Sequence, residues 1–441
     1  AAHGAFSDSY DAGQIVDPLT VTYVGAGGVP VVEETWTPED STTLTPVLGE
    51  VSGEWNSGGA KVVWTDHNRG QAGVAHVLLA SFGGGPAQLQ AYDLATLAPV
   101  GEPLSVPASL SAAFVDSGRG ILYYSSTGVS VDSALRWDAA SGAYESVPFT
   151  PFAIKGRMLG LLWDDAKQRA YSFQRVVPAG AGNTAYDLHE WYLRTYTRTE
   201  SPDGSTVSFV EDSYRLPSAP TGYNRVWYSI YAGVAALAPD GAIVMPSVAN
   251  APTDGVEWGA QRIMLTTDPE STPGSGQGTV TVATIPGTDL AVDGQSRYSA
   301  AYSTPDGVVL VRPGTSALAG QVQHLRQTGP GALVTSADPV TLPDGTLSLF
   351  VVDPADGTLW SQIQENQHLV GVRAGRVVHD VQQPLLAQRS QGLVVTADHD
   401  VYSLSNGTAA TGPFTPAPFG LVRFAWQGYS PSVGSSPQST T

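Results

Sequence analysis

The chain of 441 residues is strongly acidic, with a formal net charge of −19 at pH 7 and a sequence pI near 4.6. Such a surface repels phosphate backbones and anionic headgroups, which argues against nucleic acid or a membrane surface as the partner. There is no cysteine, so disulfides, thiolate-bound zinc and thiol catalysis are excluded.

The first predicted element is the strand LTVTYV at residues 19–24, which follows the turn-rich stretch AFSDSYDAGQIVDP. A last turn followed by a last strand is how a β-rich domain usually finishes. We therefore expect residues 1–46 to be a strand and linker left from the end of a preceding domain.

Strand signals dominate from about residue 50 onward. TVTVATI at 279–285 alternates apolar and polar residues, and GVVLV at 307–311 and TLSLFVV at 346–352 do so less strictly. Pro-Asp-Gly occurs at 202–204, 239–241, 305–307 and 343–345, each time between apolar runs. Because Pro presets φ and Gly supplies a positive φ, these tripeptides predict hairpin turns.

Two kinds of hairpin recur between these turns. The segments 91–106, 136–149, 351–363 and 400–414 predict the two outer strands of a propeller blade, whereas 112–126 and 156–173 predict inner strands. YDLHEWYLRTYT at 186–197 faces STVSFVEDSYRL at 205–216 across Pro202-Asp203-Gly204, which predicts a long hairpin.

Units of roughly 40 to 70 residues fit the stretch 50–428, and four-stranded blades around a channel are the natural closure for so many hairpins. We therefore predict an all-β fold over 47–428, a β-propeller of six to eight four-stranded blades with seven the best estimate. A large array of β-sandwiches is the alternative. Residues 429–441, rich in Ser, Pro and Thr, predict a tail or linker.

No catalytic motif is recognisable: there is no Gly-x-Ser-x-Gly, His-Glu-x-x-His, Walker-type or Gly-x-Gly-x-x-Gly sequence in a suitable context. His67 in TDHNRG and His399 in ADHDVY lie beside Asp, an arrangement that suits a metal ligand or a base. In all-β chains the same composition usually marks an exposed turn. We expect no catalytic or metal-binding residue.

The segment 186–196 is the most site-like stretch. On a strand, Leu188, Glu190, Tyr192, Arg194 and Tyr196 share one face, and His189 and Trp191 share the other. Tyr, Trp and Arg are the side chains that most often anchor a partner, although the same pattern is typical of blade packing. The candidate binding residues are Tyr186, His189, Trp191, Tyr192, Arg194 and Tyr196.

The opening residues Ala5, Phe6, Tyr10, Ala12, Gly13, Asp17, Pro18 and Leu19 follow the order AF…Y-x-A-G-x-x-x-D-P-L. This order resembles the closing segment of HtaA-type domains, found in surface haem-uptake proteins of corynebacteria and related actinobacteria. The resemblance covers about twenty residues and omits the part of the family's domain that carries its haem-ligating tyrosine. It therefore transfers no functional residue, and what it implies is an exported, surface-tethered protein associated with haem acquisition.

Together these patterns favour a non-enzymatic binding module, extracellular or attached to the cell envelope, whose partner is a protein such as haemoglobin or haem itself. No cofactor is predicted beyond haem as a ligand, and no apolar run reaches the roughly 18 residues that span a bilayer. Two alternatives remain open. One is a propeller enzyme acting on glycans as a hydrolase or lyase at the central channel, and the other is an adhesive or structural envelope protein.

Overall fold

The structure is a computed structural model. It describes residues 19–24, 30–36, 45–66, 73–81, 87–94, 96, 98–107, 111–126, 130–155, 161–181, 188–203, 206–217, 235–246, 260–267, 272–288, 300–312, 319–335, 338–343, 347–353, 356–363, 368–382, 390–395, 401–406 and 416–425.

These residues form β-strands and no α-helix. The first strands are β1 (Leu19–Val24), β2 (Pro30–Trp36), β3 (Thr45–Asp66), β4 (Val74–Ser81), β5 (Ala87–Asp93), β6 (Pro99–Val106), β7 (Ser111–Asp116), β8 (Ile121–Ser125), β9 (Ser130–Val131), β10 (Ser133–Asp138), β11 (Ala143–Ser146), β12 (Phe152–Ala153), β13 (Leu162–Asp164), β14 (Arg169–Val176), β15 (Glu190–Glu200) and β16 (Val207–Arg215). The remaining strands are β17 (Ala236–Leu237), β18 (Ile243–Met245), β19 (Gln261–Thr267), β20 (Gly278–Thr284), β21 (Ala300–Thr304), β22 (Gly307–Arg312), β23 (Gln321–Gly329), β24 (Ala332–Thr335), β25 (Val340–Thr341), β26 (Leu347–Val352), β27 (Leu359–Ile363), β28 (His368–Arg373), β29 (Arg376–Gln382), β30 (Ser390–Val395), β31 (Val401–Asn406) and β32 (Pro416–Ala425).

The strands build antiparallel sheets that follow one another along the chain. Five of them are blades, named here by their residues: blade 111–146 (β7-β8-β10-β11), blade 162–215 (β13 to β16), blade 236–284 (β17 to β20), blade 300–341 (β21 to β24, with β25 beside β23) and blade 347–382 (β26 to β29). A seven-stranded sheet of order β30-β31-β32-β3-β4-β5-β6 joins the two ends of the series. The predicted all-β propeller is confirmed.

The blade count differs from the best estimate. Six sheets of four or more strands are present in the described part of the chain, so seven separate blades are not confirmed. The reason is β3, whose residues 45–51 pair with 419–425 of β32 and whose residues 60–66 pair with 74–79 of β4. This one long strand merges the first and last parts of the ring into one sheet. Strands β1 and β2 pair only with each other among the described strands.

The hydrophobic cores lie between neighbouring blades. The core formed by Val308 and Leu310 of β22 belongs to the contact with blade 236–284, whereas Val309 and Val311 of the same strand pack toward blade 347–382. Successive side chains of a strand point to opposite faces, so a strand buried on both sides supplies two cores in alternation. This explains why GVVLV is apolar throughout, since all of β22 is buried.

The turns between the first and second strands lie together at one end of the propeller, which we call the turn end. Ser117 Oγ donates to Asp165 Oδ2 of the next blade at 3.2 Å, and Lys167 Nζ donates to the carbonyl oxygen of Gly241 in the blade after it at 3.4 Å. The amide of Gly331 then donates to Asp240 Oδ2 at 3.1 Å. These hydrogen bonds connect four consecutive blades through their turns.

Three of these turns hold an acid against a base of the third strand in the same blade. The pairs are Asp240 with Arg262, Asp306 with His324, and Asp356 with Arg373. Burial opposes ionisation of Asp240, but hydrogen bonds from the Ala242 amide and Arg262 outweigh it and lower its pKa. The hydrogen bond from His324 lowers the pKa of Asp306. Both carboxylates therefore stay charged at neutral pH.

The Pro-Asp-Gly prediction holds at three of its four places. The tripeptides at 202–204, 239–241 and 305–307 lie between paired strands, although residue 204 is outside the described residues. The fourth is at 343–345, of which 344 and 345 lie outside the described residues. The strands on its two sides, β25 and β26, belong to different sheets, so that hairpin prediction is wrong. The order of the hairpins also needs correction. Segment 351–363 contains the first two strands of its blade, and 400–414 leads from β31 to β32, which are inner members of their sheet.

Gly307 is required for a reason other than the predicted positive φ. Gly241 does have a φ of +77°, but Gly307 has an ordinary backbone conformation. A Cβ at position 307 would instead overlap the carbonyl group of Leu325 on the neighbouring strand. The constraint is therefore close approach of two backbones.

We expect Gly307→Ala to lower the free energy of unfolding by about 2 kcal/mol or more, because the new methyl group forces β22 away from β23. The measurement is denaturant unfolding. Gly329→Ala is the matched control, since nothing lies within 4 Å of its Cβ position and its φ is not positive. A Gly307→Ala protein as stable as this control would contradict the expectation.

We expect the fold to weaken as the pH falls from about 6.5 to about 4 because of His379. Burial lowers the pKa of His379 to about 4, and its ring stacks on Trp360 with 5.0 Å between centroids. The unfolded chain takes up this proton near pH 6.5, so below that pH the unfolded state binds more protons and the folded state loses stability, by about 3 kcal/mol when the loss is complete.

The comparison is with His379→Phe, which keeps an aromatic ring against Trp360 and removes the titrating group. The difference in unfolding free energy between wild type and variant should change with pH in that window. A constant difference across the window would show that His379 takes no part.

Candidate functional site

The predicted site-like stretch forms β15, the third strand of blade 162–215. It pairs with β14 on one side and with β16 on the other, so the predicted long hairpin of β15 and β16 is confirmed. Glu190, at the start of β15, lies at the end of the propeller opposite the turn end, where second strands lead into third strands. We call this the loop end.

One face of β15 is committed to packing. Trp191 and Leu193 are buried in the core between blade 162–215 and blade 236–284, together with Phe173, Tyr214 and Ile263. His189, just before the strand, is also buried, with 1% of its surface exposed. Trp191 and Leu193 therefore stabilise the contact between two blades, and none of the three side chains presents a surface to a partner in this conformation.

On the other face of β15, the part farther from the loop end is also used for packing. Tyr196 is buried in the core shared with blade 111–146, and its ring lies 5.0 Å from that of Phe152. Its hydroxyl oxygen accepts a hydrogen bond from the Lys155 amide at 3.0 Å. Burial raises the pKa of Tyr196, so its hydroxyl stays protonated at neutral pH.

Toward the loop end the same face becomes polar. Arg194 is held from two sides: its Nε donates to Gln174 Oε1 at 2.9 Å, and its Nη1 lies 3.1 Å from Glu211 Oε1. The guanidinium carbon of Arg194 also lies 5.1 Å from the centre of the Tyr192 ring. Three strands thus fix one guanidinium in a single geometry.

Further charged groups extend this arrangement in both directions. Lys155 Nζ contacts the same Glu211 oxygen at 3.2 Å. On the other side, Tyr192 donates to Glu190 Oε2 at 2.8 Å, and Arg215 Nη2 lies 3.1 Å from Glu190 Oε1. The connected set, called here the Arg194 network, consists of Lys155, Gln174, Glu190, Tyr192, Arg194, Glu211 and Arg215.

The charge of the Arg194 network differs in sign from that of the whole chain. It contains three cations and two carboxylates, whereas the chain has a net charge of −19. The outer cations are the accessible ones, with 53% of the Lys155 side chain and 61% of the Arg215 side chain exposed, against 14% for Arg194. The hydrogen bond to Glu190 raises the pKa of Tyr192, which keeps the phenol neutral.

The structure therefore divides the predicted binding residues into two groups. Tyr192 and Arg194 belong to the partly exposed network, while His189, Trp191 and Tyr196 are buried, and Tyr186 lies outside the described residues. That any of them binds a partner stays a prediction. Sequence reasoning missed Gln174, Glu211 and Arg215, which strand register places beside β15. It also missed Lys155, which lies between β12 and β13 and joins the network through Glu211.

The remaining site predictions have less structural content. His67 and His399 lie outside the described residues. Among the residues that are described, no three His, Asp or Glu side chains are grouped to hold a metal ion. Within the same part of the chain, no helix has the length and apolar character needed to cross a membrane.

Comparisons with known proteins leave the family open. No protein-family model matches this chain, and no curated protein matches it. Among solved structures, it is similar to a streptogramin B lyase, with 11% identity, a TM-score of 0.44, and coverage of 88% of this chain and 100% of that one.

Two further solved structures are also similar to this chain. Chaetomium thermophilum Sqt1, solved with the N-terminus of ribosomal protein L10, shares 12% identity over 82% of this chain and 86% of its own, with a TM-score of 0.45. The β-propeller domain of Myceliophteria thermophila Cps50 (Swd1) shares 11% identity over 84% and 99%, with a TM-score of 0.41. At these values the likenesses carry no functional argument.

We expect alanine substitution to separate the buried candidates from the exposed ones. Trp191→Ala should lower the free energy of unfolding by about 3 to 5 kcal/mol, because it leaves a cavity between two blades. Tyr192→Ala should cost within about 1 kcal/mol, since this ring lies at the surface of the network. Denaturant unfolding of both variants is the measurement, and equal costs would contradict this division.

Proposed function

We propose that this chain is a non-enzymatic binding module, displayed on the cell envelope, which binds a carboxylate-bearing partner at the Arg194 network. The observation that carries the proposal is the gathering of three cations and an aromatic ring at the loop end of one blade in a chain of net charge −19. Lys155 and Arg215 are held in ion pairs with Glu211 and Glu190, so they lose less conformational freedom on binding than unpaired side chains would, which favours affinity.

The fixed and the exposed groups have different tasks in this proposal. Arg194 is already satisfied by Gln174 and Glu211, so it holds the neighbouring side chains in place. Lys155 shares the Glu211 carboxylate with Arg194, and Arg215 contacts Glu190 at the edge of the network. More than half of each of these two side chains is exposed. They are the groups with donor capacity left for an incoming carboxylate, because ammonium and guanidinium each carry several N–H donors.

Haem or a haemoprotein such as haemoglobin is the specific partner in this proposal. Support comes from the resemblance of residues 5–24 to the closing segment of HtaA-type domains, and from the two propionate carboxylates that haem carries. The alternatives of an enzyme acting on glycans at the channel and of an adhesive envelope protein stay predictions. A pair of carboxylates about 5 to 10 Å apart in the channel would support the enzyme.

We further infer that the propeller has seven blades, two of which share β3. The seven-stranded sheet contains two successive four-stranded sets, β30-β31-β32-β3 and β3-β4-β5-β6. The pairing of β3 changes from β32 to β4 across register shifts between Val51 and Ala60, which is where one blade would end and the next begin. A crystal structure in which β3 runs straight through Val51–Ala60, with no change of direction between its β32-paired and β4-paired parts, would contradict this inference.

The test of the binding proposal is titration of haem followed by its Soret band, with retention on immobilised haemoglobin as the second readout. We expect the double variant Lys155→Ala/Arg215→Ala to bind about tenfold more weakly or worse, because two charge-assisted contacts are lost. The matched control is Arg136→Ala/Arg326→Ala, which removes two exposed arginines from other blades and changes the net charge equally.

The outcomes separate the parts of the proposal. Equal weakening in both double variants would point to net charge alone and would remove the Arg194 network as the site. No Soret change together with no retention on haemoglobin would remove the haem and haemoglobin version.

A further inference from the structure

The outer strands of the blades differ in how they are protected against pairing with another chain. A strand at the edge of a sheet presents unpaired N–H and C=O groups, and proteins block such edges with charges, prolines, bulges or short strands. Here β6 contains two prolines and a glutamate, and β11 and β24 have only 4 residues each. Strands β16 and β29 carry acidic and basic residues.

Strand β20 has none of these protections. It runs for 7 residues as GTVTVAT, without a charge or a proline, and it ends the sheet order of blade 236–284, with β19 as its paired neighbour. Five of its residues are exposed, and only Val280 and Val282 are half-buried, packed against the core shared with blade 162–215. Among the described outer strands of 7 residues or more, β20 alone is unprotected.

We propose that the edge of β20 pairs with the β20 edge of a second copy of this chain, antiparallel about a two-fold axis through Thr281. The sequence of β20 is self-complementary in that register. Thr281 stands opposite Thr281 of the second copy, and Val280 stands opposite Val282. Thr–Thr and Val–Val are favourable cross-strand pairs, and a two-fold axis requires one patch to match itself.

Charge favours a second copy over a partner that binds through ion pairs. A strand without charges cannot form ion pairs with a partner strand. Two acidic copies of this chain can therefore pair along β20 without placing like charges opposite each other. The two blades would join into one eight-stranded sheet. The net charge of −19 on each copy opposes association at long range. Salt screens this repulsion, so the dimer should strengthen as salt is added.

The experiment measures molecular mass over a series of protein concentrations, either by sedimentation equilibrium or by light scattering coupled to size exclusion. Wild type should pass from monomer to dimer. Thr281→Lys should raise the dissociation constant by about fivefold or more, because two lysines face each other on the axis. Val334→Lys, at an exposed position of the short outer strand β24, is the control for added charge and should leave the dissociation constant near that of wild type.

A mixture distinguishes strand pairing from general charge effects. Thr281→Glu alone should also dissociate, but equal amounts of Thr281→Lys and Thr281→Glu should form mixed dimers, since opposite charges then meet on the axis. A wild type that is monomeric at every concentration would overturn the proposal and leave the β20 edge to another kind of partner. A dimer that Thr281→Lys and Val334→Lys weaken equally would overturn it as well.

Discussion

Every blade of this protein depends on its neighbours, because the hydrophobic cores lie between blades. A strand such as β22 sends Val308 and Leu310 into one core and Val309 and Val311 into the next. A four-stranded sheet alone would leave both of these faces in water. This exposure costs a free energy of roughly 25 cal/mol for each square ångström of apolar surface. The sheets are therefore stable only as a ring, and the ring needs a closing contact.

Strand β3 supplies that closing contact. Its first part pairs with β32 near the end of the chain and its last part with β4, so one continuous strand joins the two ends of the series. At the turn end, hydrogen bonds from Ser117, Lys167 and Gly331 to the adjacent blades add polar contacts to the same circular arrangement. The turns with Asp240, Asp306 and Asp356 hold their acids against bases of the third strands, which fixes the turn geometry within each blade.

Among the described residues, the Arg194 network and the hydrogen-bonding edge of β20 are two places that the cores between blades do not use. The rest of β15 is needed for packing, which is why Trp191 and Tyr196 are buried although their residue types suit a binding site. The network lies where the face of blade 162–215 extends beyond the aromatic core shared with blade 111–146. The β20 edge lies at the outside of the ring, where every propeller must end its sheets.

Much of the fold was predictable because its signals are local. Alternation marked β20, apolar runs marked β22 and β26, and Pro-Asp-Gly marked the turns at 202–204, 239–241 and 305–307. The position of the hairpins at 351–363 and 400–414 within their sheets was not predictable. Inner and outer strands carry similar local patterns and differ only in the strands beside them. The same holds for the fourth Pro-Asp-Gly, since proline and glycine interrupt a strand whether the chain turns back or moves to the next sheet.

The sequence by itself determined the all-β class, the antiparallel pairing of β15 with β16 and the alternation of side chains along each strand, because φ/ψ preferences and period-two patterning act within a few residues. Only the tertiary structure decided which face of β15 is buried and which residues join Tyr192 and Arg194. Gln174, Glu211 and Arg215 come from the two neighbouring strands, and strand register brings them beside β15. Lys155 comes from the segment between β12 and β13. Register is set by packing between blades, so it cannot be predicted from the residues next to each other in the sequence.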